Sequence, residues 1–214
     1  MRSVIGLLSQ GLYGKLLPID EFPQSPRVQG VGLSDWDVYA RKLGDRIGYT
    51  NTFYHQEPRL DITNIGPERA GSCDFIISAD VFEHVTPPVS AAFAGAWRLL
   101  KPGGLLILTV PYIIESNATL EHFPDLHEWA LTTGDDGVHR LRNRRVDGTV
   151  EEFDQLVFHG GPGSTLEMRI FSRDSLLGEL ASAGFDDVRI ADEPMPPIGV
   201  LWQHPWSLPV VARK

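Results

Sequence analysis

The strongest pattern of apolar and polar positions lies in the middle of the chain. Asp74-Phe75-Ile76-Ile77-Ser78-Ala79-Asp80 is an apolar run rich in β-branched residues between two aspartates. Such a run predicts a strand buried on both faces of a parallel sheet. From Val89 to Leu100, Ala91, Ala92, Phe93, Ala96, Trp97 and Leu100 fall on one side of a helix, and Lys101-Pro102-Gly103-Gly104 ends it. Leu105 to Val110 is a second buried strand. Strand, helix and strand joined by a short glycine turn form a parallel βαβ unit, whose crossover is nearly always right-handed.

The flanks are less regular. Residues 1–26 end in Phe22-Pro23-Gln24-Ser25-Pro26, which predicts an extended connector after an N-terminal arm. A short strand over 27–32 runs into Gly30-Val31-Gly32. Trp36, Tyr39, Ala40, Leu43 and Ile47 then take helical spacing, with Ser34 or Asp35 as the cap. Thr50 to Tyr54 and Leu60-Asp61-Ile62 read as two short strands. Residues 115–165 are polar and rich in Gly, Asp and Arg, with strand-like pieces at 139–145 and 150–158. Ser172 caps a helix over 173–183 that Gly184 closes, and strands follow at 187–191 and 206–212. The expected organisation is an arm (1–26) and one α/β domain (27–214) carrying an insertion at about 113–167.

Composition narrows the function classes. The chain has 214 residues, 19 Lys+Arg against 28 Asp+Glu, and a formal net charge of −9. That balance argues against non-specific wrapping of nucleic acid, which draws on excess Lys and Arg. Cys73 is the lone cysteine, so neither an intrachain disulfide nor a cysteine zinc framework is available. The longest apolar run, Leu105 to Ile114, is interrupted by Pro111 and is shorter than the roughly 18 residues of a spanning helix. The apolar start, Met1 to Leu8, is too short and too soon broken to read as a secretory signal. A cytoplasmic location without membrane association is expected, and oligomeric state is not readable.

The stretch 74–112 carries the chemistry. Asp80-Val81-Phe82-Glu83-His84-Val85 follows the first buried strand, and Leu99-Leu100-Lys101-Pro102-Gly103-Gly104 precedes the second. This resembles the fourth and fifth strands of class I S-adenosylmethionine-dependent methyltransferases, in which a strand ends in a Glu-His turn and the next helix ends in Leu-Leu-Lys-Pro-Gly-Gly. Ala183-Gly184-Phe185 and the closing strand resemble that family's C-terminal part more loosely. The resemblance implies a Rossmann-like, mostly parallel, seven-stranded-type sheet with helices on both faces. Its first half is compressed, because only 29 positions separate Gly32 from Asp61. It also implies S-adenosylmethionine as cofactor and methyl transfer to a small-molecule or glycan acceptor.

The resemblance places cofactor contacts at Gly30, Gly32 and Ser34 in the first strand–helix loop, where Ser34 and Trp36 stand at positions the family gives to glycine. It assigns Glu57 to the ribose hydroxyls, Asp61 to the adenine edge, Asp80 to the cofactor's sulfonium or amine end (or simply to ending the strand), and Val81 to the cofactor contacts. Glu57 and Asp61 also read as solvated turn carboxylates beside Pro58. A proton acceptor, if the acceptor group needs one, is sought among His84, His122 and His127. Glu83 and His84 can equally cap the start of the following helix. Glu121-His122-Phe123-Pro124-Asp125-Leu126-His127 gathers two histidines and two carboxylates, but its spacing fits no standard ligand motif and no metal is expected. Phe158-His159-Gly160-Gly161-Pro162-Gly163-Ser164-Thr165 lacks the lysine of a phosphate loop and reads as a lid or a hairpin turn. Arg140, Arg142, Arg144 and Arg145 either grip an anion or form a solvated face. Two other functions compete: a non-catalytic methyltransferase-like binding domain, and a nucleotide-dependent oxidoreductase. The latter needs Gly-x-Gly-x-x-Gly, and the run from Gly30 lacks its last glycine.

Overall fold

The computed structural model describes all 214 residues. Its central sheet has six strands in the order β13-β14-β4-β3-β1-β2. Here β1 is Ser25–Leu33, β2 Ile47–Thr52, β3 Cys73–Ala79, β4 Leu100–Thr109, β13 Asp186–Ile190 and β14 Val210–Arg213. The neighbours β2, β1, β3 and β4 pair in parallel, while β14 runs antiparallel to both β4 and β13. No helix is long and apolar enough to cross a membrane.

Period-2 alternation along the central strands divides the core into two layers. Ile76, Leu106 and Leu108 face α3 (Ser90–Leu99) and α4 (Arg173–Ala183), packing with Phe93, Ala96, Leu176 and Leu180. Phe75, Ile77, Leu105 and Ile107 face α1 (Arg2–Tyr13) and α2 (Asp37–Gly44), packing with Val4, Leu8, Tyr39 and Leu43. Strands β3 and β4 are buried on both faces because each layer covers one set of alternate side chains. The Ser172 hydroxyl accepts from the Ser175 N–H at 3.1 Å, and Gly184 closes α4 in the left-handed conformation.

The sheet is mostly parallel with helices on both faces, as the resemblance implies; it has six strands and ends at β2. Two finer expectations are corrected. Residues 53–72 supply no further helix or strand; Leu60-Asp61-Ile62 is not a strand, and Phe53 and Arg59 make only an isolated bridge. Instead Leu60, Ile62 and Ile65 sink directly into the layer beneath α3. A Cβ on Gly95 would lie 1.7 Å from the Ile62 carbonyl oxygen, so that glycine lets the connector run flush against α3. The helix expected over 35–47 stops at Gly44, because Ile47 is already paired in β2.

The segment after β4 forms small sheets above the strand ends. Tyr112–Ile113 (β5) and Leu120–Glu121 (β6) flank Arg169–Ser172 (β12). Glu128–Thr133 (β7), His139–Arg144 (β8) and Val150–Phe153 (β9) form an antiparallel meander. Phe158–His159 (β10) and Thr165–Leu166 (β11) form a hairpin.

Candidate functional site

Two groups of polar side chains meet at the carboxyl ends of the parallel strands, where ligands of open α/β sheets bind. The first surrounds the loop between β1 and α2. Ser34 holds φ 58°, the left-handed turn that glycine takes most easily. Residues of β2 clamp this loop. The Ser34 N–H donates to the Thr52 carbonyl at 2.7 Å, and the Thr52 hydroxyl donates to the Gly32 carbonyl at 2.8 Å. Asn51 accepts from the Asp35 N–H and donates to the Asp35 carbonyl, both at 2.8 Å.

Asp35 is the charged centre of this loop. It is buried; its Oδ2 accepts from the Tyr49 hydroxyl, and its Oδ1 has no hydrogen-bond partner. Burial pushes the carboxyl up to about 6, against the pull of the Tyr39 and Tyr49 hydroxyls. The two predicted glycines are used from within. A Cβ on Gly32 would lie 1.9 Å from the Tyr49 hydroxyl and 2.3 Å from Asp35 Oδ2, and one on Gly30 would lie 1.9 Å from the Phe75 ring. Their missing side chains make room for Tyr49 and Phe75, whose rings stack with centroids 6.1 Å apart.

Glu57 and Asp61 lie on the connector after β2. The Glu57 carboxylate accepts from the Arg59 N–H at 2.9 Å, while Asp61 accepts from both the N–H and the hydroxyl of Thr63. Each carboxylate thus holds its own turn through one oxygen and keeps the other free. Asp80, exposed at the end of β3 with φ 55°, accepts from the Thr109 hydroxyl at 3.0 Å. Val81 beside it is half-buried. The Asp80 charge acts on Tyr39 on one side and on Glu83 and His84 on the other, so Asp80 stands between the two groups.

The second group is a histidine–carboxylate cluster. After β3 a short 3-10 turn, Phe82–His84, delivers Glu83 and His84. Glu83 is fully buried, and neither carboxylate oxygen has a hydrogen-bond partner. Burial pushes it up to about 8, with the charges of Asp80 and Glu167 adding and Arg169 opposing. His84 Nδ1 is 2.8 Å from the Leu166 carbonyl, and burial lowers the pKa of this ring. From the hairpin, His159 Nε2 lies 2.9 Å from Glu167 Oε2 and its Nδ1 lies 3.7 Å from Glu83 Oε1. His122 Nε2 takes the other Glu167 oxygen at 2.8 Å. The rings of His84 and His159 meet edge to face at 4.7 Å.

Arg169 fixes this arrangement from beneath. It is fully buried; its Nε donates to Glu121 Oε1 at 2.7 Å, and one terminal nitrogen donates to the Phe82 and Val85 carbonyls. The turn bearing Glu83 and His84 is thereby tied to β12. His84 and His122, both singled out in the sequence, lie in this cluster through His159 and Glu167, and His127 does not. His127 is exposed, and its N–H donates to the Asn143 side chain. Of the four arginines, Arg140, Arg144 and Arg145 pair with carboxylates of the insertion itself.

Asp35, His159, Glu167 and Arg169 are not marked as site residues by any local pattern. A buried carboxylate in a loop, or a histidine before a glycine-rich turn, becomes visible only when strands far apart in sequence bring partners to it.

Comparison with known proteins agrees with this architecture. Residues 39–108 match the family model described as a methyltransferase domain. The match spans 70 of the 214 residues and likens this part of the chain to methyltransferase domains. The matched segment starts at Tyr39, beyond the Gly30–Asp35 loop, and includes the Glu83-His84 turn and the run through Lys101-Pro102-Gly103-Gly104. No curated protein matches the chain. Among solved structures, an S-adenosylmethionine-dependent methyltransferase from Clostridium acetobutylicum is 11% identical, with TM-score 0.51, over 99% of this chain and 89% of its own. The CurJ carbon methyltransferase is 17% identical, also with TM-score 0.51, over 100% of this chain and 54% of its own. A methyltransferase from Mesorhizobium loti is 15% identical, with TM-score 0.49, over 91% and 94% of the two chains. At these identities the likeness to the two structures with TM-score 0.51 is one of fold alone.

Proposed function

We propose that the chain transfers a methyl group from S-adenosylmethionine to a small-molecule or glycan acceptor bound above β3 and β4. The observation that carries the reading is the buried carboxyl of Asp35 in the clamped loop after β1, which has tyrosine hydroxyls beside it and no cation. A carboxylate buried without a cation is costly. A cationic ligand lying over the loop satisfies it, and S-adenosylmethionine carries an ammonium and a sulfonium. When bound, the cofactor supplies an electrophilic methyl group.

The chain's own residues hold and align. Asp35 and Asp80 would hold the cationic end, and the left-handed turn at Ser34 would keep backbone clear of the ligand. The free oxygens of Asp61 and Glu57 would accept from the adenine amine and the ribose hydroxyls, with half-buried Val81 beside Asp80. The small sheets of the insertion wall off the acceptor side and limit water there. His122, beside Glu167, supplies a proton acceptor for a hydroxyl or amine acceptor. The acidic charge of the chain favours small or neutral acceptors over a polyanion.

Calorimetry with S-adenosylhomocysteine tests the cofactor part. Saturable one-to-one binding is expected, weakened at least tenfold in Asp35→Asn with fold intact by circular dichroism. Transfer of label from methyl-labelled S-adenosylmethionine to a panel of sugars and small hydroxy or amino compounds tests the acceptor part. No binding by a folded sample overturns the reading in favour of a non-catalytic domain, a role consistent with glycine positions already filled by Tyr49 and Phe75.

A further inference from the structure

We infer that Glu83, His84 and His159 form a binding site for a divalent first-row transition ion of the zinc type. Glu83 Oε1 lies 3.7 Å from His84 Nε2 and 3.7 Å from His159 Nδ1, and the three ligand atoms all fall within 4.8 Å of one another. These separations are too long for hydrogen bonds. They suit donors around one ion, since bonds of about 2.0–2.2 Å put neighbouring ligand atoms roughly 3–3.5 Å apart.

The hydrogen bonds around the cluster orient each ligand. A carbonyl oxygen can only accept, so His84 Nδ1, 2.8 Å from the Leu166 carbonyl, carries the ring proton and Nε2 presents a lone pair. His159 Nε2 lies 2.9 Å from Glu167 Oε2 as an ion-pair contact, and the other ring nitrogen, Nδ1, is the one turned toward Glu83. His84 Nε2 is likewise the nitrogen of its ring nearest Glu83. Histidines that ligate metals commonly present their second ring nitrogen to a carbonyl or a carboxylate; His84 is bonded to a carbonyl in this way, and Glu167 stands beside the second nitrogen of His159.

Glu83 supplies the independent sign of a missing cation. It is fully buried, and both its oxygens lack any donor. The nearby cation, Arg169, donates through Nε to Glu121 and through one terminal nitrogen to the carbonyls of Phe82 and Val85, and its other terminal nitrogen makes no hydrogen bond to Glu83. Two imidazoles and one carboxylate leave coordination positions open, and His159, about one-third exposed on its hairpin, gives a path to solvent. The ligands come from 83–84 and 159, so no spacing in the sequence announces them, and the expectation of a metal-free chain is replaced by this proposal.

The site stands or falls apart from methyl transfer, because metal binding is itself the readout. Chelator-stripped full-length protein is titrated with Zn²⁺ by calorimetry in a non-chelating buffer, and with Co²⁺ followed by its visible ligand-field bands. One equivalent is expected, with a Co²⁺ spectrum of low coordination number and a melting temperature that rises with free Zn²⁺. Glu83→Gln, which keeps the side chain's shape, and His159→Ala, on the half-exposed hairpin, are each expected to weaken Zn²⁺ binding about 10- to 100-fold. Exposed His204→Ala is expected to leave it unchanged. Absence of stoichiometric uptake by the folded protein overturns the proposal. So does uptake that His159→Ala and Glu83→Gln leave intact; should Glu83→Gln fail to fold, His159→Ala decides alone.

Discussion

Asp35 couples the stability of the fold to its reading as a cofactor loop. Its carboxyl is raised from an ordinary 3.8 to about 6 because it is buried. The folded chain therefore holds this proton more tightly than the unfolded chain, and the unfolded state binds fewer protons between those two values. Stability must then fall as pH rises from about 4 to about 6, and stay at the lower level above that. A rise of about two units corresponds to about 3 kcal/mol. Asp35→Asn removes the titration while keeping the size of the side chain.

Chemical unfolding from pH 4 to pH 7.5 in steps of half a unit measures the effect, and the wild-type-minus-variant difference cancels the other carboxylates. The difference should move by about 3 kcal/mol across that window, with the variant gaining relative stability as pH rises. The amide oxygen of the variant still accepts from the Tyr49 hydroxyl, now as a neutral acceptor, which offsets the curve by at most about 1 kcal/mol at all pH values. Saturating S-adenosylhomocysteine, whose ammonium would face Oδ1, should flatten the difference by holding the carboxylate ionised. Two pH profiles running parallel throughout would refute the burial argument. A difference of the expected size that the ligand leaves unchanged would refute the placement of the cationic end at Asp35.

Other outcomes follow from the same geometry. Gly32→Ala drives a Cβ into the Tyr49 hydroxyl at 1.9 Å and should cost about 1–3 kcal/mol in urea unfolding, with part of the loss recovered in a Tyr49→Phe background. Arg169→Met leaves Glu121 without its buried partner and frees the turn carrying Glu83; a loss of about 3–5 kcal/mol by denaturant titration is expected. Asp61→Asn and Glu57→Gln should each reduce S-adenosylhomocysteine affinity about tenfold in calorimetry while moving the melting temperature little, since both carboxylates are on the exposed connector.

The framework of the fold was legible where burial is decided by local pattern. The run at 74–80 and the helix at 89–100 lie where the continuous apolar stretch and the helical spacing put them. Ser172 and Gly184 mark the ends of α4 by the chemistry of caps. The connector over 53–72 was misread at Leu60 and Ile62, because β-branched and leucine side chains look alike whether they build a strand or simply plug a layer. Only the flush contact with α3 at Gly95 decides between those uses.

By itself the sequence determined a parallel βαβ centre, an acidic single-cysteine chain, and the Glu83-His84 turn that carries the family likeness. Each of these depends on neighbours in sequence: periodicity, capping and composition act over a few residues. Tertiary structure alone decided that Gly30 and Gly32 make room for Phe75 and Tyr49, that Asp35 is buried with no cation beside it, and that His159 and Glu167 arrive beside Glu83. Those outcomes hang on contacts between segments tens of residues apart, where burial turns an ordinary carboxylate or imidazole into a group with a free lone pair and no donor to meet it.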